Sequence, residues 1–233
     1  MLTLLGLGFL LGLRHAFEAD HAAAVAALAS RSHSVGETVR QGIAWGIGHA
    51  LTLFLFCSVV LSLNSMVPER VALALEMAVG VMLIGLGLDV WRRIRRDRIH
   101  IHIHEHEAGK SHIHIHAHRN ETDRADAVHQ HTHQMPYRAL LVGMTHGMAG
   151  SAALILLTLH ATTSIALTLT YIILFGLGSI LGMATLSLAI AIPLRRSAQT
   201  FAWAYDGIQI AIGGISVFLG ASMLYTQGLE FLG

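Results

Sequence analysis

Apolar residues in this chain come in long runs. Six stretches, at roughly 2–29, 41–63, 71–92, 139–160, 164–192 and 201–225, each reach the twenty or so residues needed to cross a bilayer. None alternates in polarity as a barrel strand would, so the spans are predicted to be helices. Pro68 and Pro193 fall at predicted span ends, where a missing N–H does little harm. A different period appears between the third and fourth spans. Residues 99–106 read Ile-His-Ile-His-Ile-His-Glu-His and 112–118 read His-Ile-His-Ile-His-Ala-His. This period-two pattern places His100, His102, His104 and His106 on one face of a strand, and His112, His114, His116 and His118 on one face of another. With 107–111 as the turn, the pattern predicts a β-hairpin. The predicted fold is an all-α polytopic membrane protein in three parts: 1–95, a His-rich loop at 96–137, and 138–233.

Composition sharpens this picture. Of 233 residues, 54% are hydrophobic and only 12% charged, about half the charged share of a soluble domain. Cys57 is the one cysteine, so no internal disulfide exists and a thiol–disulfide electron carrier is excluded. Ala27-Leu28-Ala29 resembles a signal-peptidase site. Arg14, His15, Glu18, Asp20 and His21 interrupt the apolar segment such a site requires, so the first span is predicted to be retained. Thirteen of the 15 Lys and Arg residues fall on the side reached after the first span; Arg70 and Arg14 are the exceptions. By the positive-inside rule that side is the cytoplasm, with both termini outside and the His-rich loop inside. Basic residues placed by topology leave no support for nucleic-acid binding.

The chain also repeats itself in order. Gly12-Leu13-Arg14-His15 matches Gly143-Met144-Thr145-His146, Trp45-Gly46-Ile47-Gly48-His49 matches Phe175-Gly176-Leu177-Gly178-Ser179, and Glu76 with Gly80 matches Gln209 with Gly213. All three matches share nearly one offset, and each falls in the corresponding span. Three spans per copy force the second copy upside down, which predicts two inverted three-helix repeats. Gly46/Gly48, Gly85/Gly87 and Gly176/Gly178 are predicted to let helix backbones approach closely.

The first span carries His15-Ala16-Phe17-Glu18-Ala19-Asp20-His21. Charge and imidazole inside a membrane are costly and usually line a pathway. On an ideal helix Asp20 lies roughly 140° and His21 roughly 240° from His15, so the three share no narrow face. Either the helix breaks here, or Glu18 completes the ligand set and Asp20 only holds an imidazole. His49 and His146 lie inside the second and fourth spans. Taken singly, each histidine is explained by an interhelical hydrogen bond; together with the carboxylates they point to a cation site. Imidazole with carboxylate suits Ni, Co, Zn or Cu(II) rather than Mg or Ca. Glu76 is placed on the outer part of the route or in a bond to a neighbouring helix. Asp89 is predicted to pair with Arg92 or Arg93.

The run His15-x4-Asp20-His21 resembles the HX4DH signature of the nickel/cobalt transporters (the NiCoT/NicO group), where an acidic residue at the Glu18 position is also usual. Gly46-x-Gly48-His49 resembles that group's second conserved stretch. His146-Gly147-Met148-Ala149-Gly150-Ser151 resembles its shorter, urease-accessory (UreH-like) members. The resemblance implies transport of Ni²⁺ or Co²⁺ with His15, Asp20 and His21 in metal recognition, a prokaryotic inner membrane, and cytosolic nickel-enzyme maturation factors as partners. The classical importers are longer, with about eight spans. Six spans with a His-rich loop also resemble the efflux branch, so direction stays open. A metalloenzyme is the rival from another class, but no nucleophile or catalytic cofactor motif supports it. The His-rich loop, with His129, His131 and His133 beyond it, is read as collecting or buffering metal, Zn²⁺ included.

Overall fold

A computed structural model describes residues 2–32, 34–63, 67–98, 101–104, 112–115, 136–149, 164–200 and 202–232. Its helices are α1 (Leu2–His15), α2 (Ala19–Ala29), α3 (Val35–Leu63), α4 (Glu69–Arg98), α5 (Tyr137–Ala149), α6 (Ile165–Thr200) and α7 (Ala202–Leu232). Two short strands, β1 (Ile101–His104) and β2 (His112–Ile115), pair antiparallel with His102 opposite His114 and His104 opposite His112. His100, His106, His116, His118 and the turn at 107–111 lie outside the described residues, as do His33, His160 and the 129–133 histidines. Among the described residues, α3, α4, α6 and α7 are long and apolar enough to cross a membrane. Large apolar side chains such as Leu55, Val59, Leu181 and Phe218 stand on the outside of the bundle, as a lipid-facing protein requires.

The first predicted span is two helices with a break between them. After His15 the chain closes two tight turns, Phe17 N–H to Arg14 C=O at 2.9 Å and Glu18 N–H to His15 C=O at 3.1 Å. Glu18 is extended (φ −63°, ψ 152°), and α2 starts from its carbonyl, which accepts the Ala22 N–H at 2.9 Å. Of the two outcomes the sequence left open, this is the broken helix. The predicted fourth span begins as α5; its remainder falls in 150–163, outside the described residues.

Helices cross where side chains are absent. A Cβ at Gly12 would strike the Phe175 backbone, and one at Gly178 the Phe9 carbonyl, so α1 lies directly on α6. A Cβ at Gly48 would strike the Leu140 carbonyl, and one at Gly143 the Trp45 carbonyl, so α3 lies directly on α5. On α4 and α7, Gly80 meets Gly220 and Gly87 meets Gly213, while the Trp91 indole N–H donates to the Ile210 carbonyl at 3.2 Å. Small residues at such crossings let dispersion and weak C–H···O contacts replace a hydrophobic drive that lipid does not supply.

One expectation needs correction. Gly85 has nothing within 4 Å of its ideal Cβ, so only Gly87 of that pair serves a crossing. Gly85 is two residues away, turned about 200° round the helix. Pro193 stands at the end of the predicted span, and α6 runs on through it to Thr200. The apolar span ends near Pro193, but the helix continues with Arg195 and Arg196, since one lost N–H and a local bend are tolerated at a span's edge. Asp89 pairs with Arg93 (3.4 Å) as expected, and also with Arg31 (2.8 Å). Arg93 further donates to Ser30 Oγ at 3.0 Å. This cluster fastens the end of α2 to the end of α4 on the basic side.

Candidate metal centre

The break between α1 and α2 determines the site. It turns the chain so that His15, at the end of one helix, and His21, in the first turn of the next, face each other with ring centroids 4.5 Å apart. His49, the middle residue of α3, is fully buried with its ring 5.3 Å from both. His146, on α5, brings its ring within 4.0 Å of His21 and 6.1 Å of His49. Residues from three separate parts of the chain therefore meet in one cluster. One ligating atom each from His15, His21 and His49 lie within 4.8 Å of one another, and the same holds for Asp20, His21 and His146.

The carboxylates hold the rings. Asp20 Oδ1 accepts from the backbone N–H of His21 at 2.9 Å and faces that ring's Nδ1 at 3.1 Å. Its other oxygen faces His146 Nε2 at 2.8 Å. Glu18 faces His15 Nδ1 at 3.0 Å, from a side chain that is 56% exposed. A neutral imidazole that donates one N–H to a carboxylate keeps a lone pair on the other nitrogen. Those other nitrogens, His15 Nε2, His21 Nε2 and His146 Nδ1, are buried without a hydrogen-bond partner, and so are both nitrogens of His49. Buried polar atoms are normally satisfied, and one such group costs about 1–3 kcal/mol. Imidazole nitrogens grouped this closely, in two triads that share His21, form a donor set suited to a borderline cation, since nitrogen–metal bonds of about 2 Å require donors close together.

Beside the cluster is a cavity of about 140 Å³, lined by His15, Glu18, Asp20, His21, Glu76, Val79, His146, Ala149 and Met223. It lies towards the start of α4 and the end of α7, away from the arginine-rich helix ends. Glu76 is hydrogen-bonded by Gln227 of α7, a bond to a neighbouring helix as considered for it, and also lines this cavity. On the other side of the cluster, Trp45 stacks on His21 at 5.8 Å with only 8° between the planes, and its ring lies 5.8 Å from His146. Sequence reasoning used Trp45 only as a marker of the repeat and Ala149 only as part of a family run, and missed Val79 and Met223. Nothing in their immediate sequence marks these residues as cavity-lining. Of the His-rich loop, His102, His104, His112 and His114 are described in the strands only.

Comparison with known proteins agrees with the motifs. The chain matches, over residues 1–231, the family model NicO, described as a high-affinity nickel-transport protein. It is 33% identical over 237 residues to the urease accessory protein UreH of Bacillus sp. (strain TB-90), covering 98% of this chain and 93% of that one. No solved structure gives a significant match. With a family match across nearly the whole length, and helices long and apolar enough to span a bilayer, this chain is a multi-pass membrane protein of the NicO family of nickel transporters.

Proposed function

We propose that this protein carries Ni²⁺, with Co²⁺ as the second choice, inward through the cluster of His15, His21, His49 and His146. Asp20 orients His21 and His146, and Glu18 orients His15. The observation that carries the reading is the set of imidazole nitrogens left unpartnered inside the helix bundle. Four imidazoles, three of them with a carboxylate behind, match the ligand preference of Ni²⁺ and Co²⁺. The site takes up an ion that has shed part of its hydration shell, through the cavity that Glu18 and Glu76 line. Uptake rather than export is favoured by the cavity lying at the end away from the arginines, which the positive-inside rule makes the exterior. The relative named as a urease accessory protein points the same way, towards cytosolic nickel-enzyme maturation factors as the destination.

The architecture proposed is six spans in two inverted repeats, with both termini outside and the His-rich loop in the cytoplasm. Its support is the pairing of contacts. Gly48 against Leu140 corresponds to Gly178 against Phe9, Gly143 against Trp45 to Gly12 against Phe175, and Gly80 against Gly220 to Gly213 against Gly87. Every partner is displaced by the same offset that relates the sequence motifs. The loop histidines from His100 to His118 would buffer Ni²⁺ or Zn²⁺ before release.

The test is ⁶³Ni²⁺ flux in proteoliposomes. His21→Ala and His49→Ala are expected to lower flux by about tenfold or more, because each removes a nitrogen that nothing else replaces. Wild-type flux in both, in inserted and monodisperse protein, would mean the cluster is structural.

A further inference from the structure

The cluster has two flanks on the α3/α6 side, and the repeat offset relates them position by position. On the basic side, Trp45 is followed by a pocket lined by Thr38, Gln41, Gly42, Trp45 and Ser187, together with apolar residues of α2. The residues at the repeat offset are Thr168, Tyr171, Ile172, Phe175 and, running the other way, Cys57. Four of these, Cys57, Tyr171, Ile172 and Phe175, belong to one packed apolar cluster with Leu53 and Val60. Phe175 stands against His15 at 5.4 Å much as Trp45 stands against His146 at 5.8 Å. Threonine stands at the same place in both halves, but Gln41, Gly42 and Ser187 on one side are replaced by Tyr171, Ile172 and Cys57 on the other, which pack into an apolar cluster.

Packing alone does not call for that difference. Ser187 Oγ and Trp45 Nε1 are buried without hydrogen-bond partners, and Ser187 is 1% exposed. Gln41 is engaged at its far end, accepting from Ser32 Oγ at 3.1 Å. Leaving two polar groups unsatisfied is a standing cost that an apolar filling would avoid, as it does in the other half. The pocket is also shut, with no volume for even a water-sized sphere. It is a collapsed space of mixed lining, with Thr38, Gln41 and Ser187 as its polar side chains, one aromatic ring away from the imidazoles.

We propose that Trp45 is the gate on the basic side of the site, and that the ion leaves past it through the pocket of Thr38, Gln41 and Ser187. The inference rests on the histidine cluster being the metal site. When the indole swings from its stack on His21, the cluster joins the pocket. The hydroxyl and amide oxygens then receive a cation that is regaining water. Gly42 is needed because a side chain there would meet Ser187 Oγ and the Met183 carbonyl. The apolar counterpart behind Phe175 stays shut. The two ends of the route thus differ: the ion approaches beside Glu76 and departs beside Trp45.

The experiment uses full-length protein in lipid nanodiscs, with Cys57→Ala and Ser187→Cys as background. The readout is the rate of modification by a small, charged, membrane-impermeant thiol reagent. With Trp45 present the rate should be slow and should rise about tenfold or more when Ni²⁺ is added. Trp45→Ala should label fast without metal, and Trp45→Phe, which keeps most of the ring, should stay slow. The gate is overturned if Trp45→Ala does not speed labelling, if Trp45→Phe labels as fast as Trp45→Ala, or if Ni²⁺ binds without changing the rate. Equilibrium Ni²⁺ binding to His21→Ala separates the two readings. Binding that survives this change sinks the metal site, while the metal-free Trp45 comparison still judges the gate.

Discussion

Asp20 holds two imidazoles from different helices, one through each oxygen, and this sets the order of importance among the acidic residues. Asp20→Asn replaces one charged acceptor by an amide nitrogen that cannot accept, so at least one of His21 and His146 loses its orienting partner. Equilibrium ⁶³Ni²⁺ binding should weaken about 10–100-fold, the usual effect of losing a carboxylate behind a ligating histidine. Glu18→Gln should cost less, because Glu18 orients one ring from a side chain more than half exposed, where charge is screened. Equal losses in the two variants would contradict that order. His15, Asp20, His21 and His146 were legible as a set from motif and repeat. The helical wheel could not choose between a broken helix and a Glu18 ligand, since His15-Ala16-Phe17-Glu18-Ala19 contains neither glycine nor proline to announce the extended Glu18. The local sequence favours helix, and tertiary demand overrides it. Trp45 was harder still, because what makes it notable is the neighbouring pocket, and Ser187 reaches that pocket from the other half of the chain.

Elements are joined in this protein by glycine crossings, and these were only half legible. Sequence shows which glycines recur but not which side of the helix meets a neighbour, so Gly85 and Gly87 looked alike. Substituting each by alanine should separate them. Gly87→Ala would press on the Gly213 carbonyl and Val217, and overpacking of this kind costs about 1–3 kcal/mol. Gly85→Ala meets open space and should be neutral, or stabilising by about 0.5–1 kcal/mol from helix propensity. Unfolding midpoints in detergent would show the difference, and a Gly87→Ala midpoint equal to that of Gly85→Ala would mean that the α4/α7 crossing is looser than its geometry. The repeat extends the argument. Gly143→Ala and Gly12→Ala burden corresponding crossings, so their midpoints should fall by similar amounts. Gly143→Ala should also perturb Trp45, whose carbonyl and ring both face the added methyl.

At the scale of the whole molecule, charge and histidine are distributed very differently from apolar surface. Periodicity made the four long helices α3, α4, α6 and α7 legible without any contact information, because a bilayer fixes helix length, and the positive-inside rule supplied the proposed direction. They could not show that Arg31 and Arg93 converge on Asp89, since that depends on how the ends of α2 and α4 meet. The same division of labour applies to the 17 histidines, of which eleven lie between Arg98 and Arg138. The His15, His21, His49 and His146 cluster is built without any of those eleven. A route through the bundle therefore does not need them, whereas a soft, high-capacity metal store at the basic end would slow release or limit cytosolic metal. Removing 99–119 should leave ⁶³Ni²⁺ transport measurable, with an initial rate within about threefold of wild type and a reduced amount of metal bound per protein at saturation. Complete loss of flux in correctly inserted protein would place the loop on the route itself and require a second set of ligands beyond the membrane cluster.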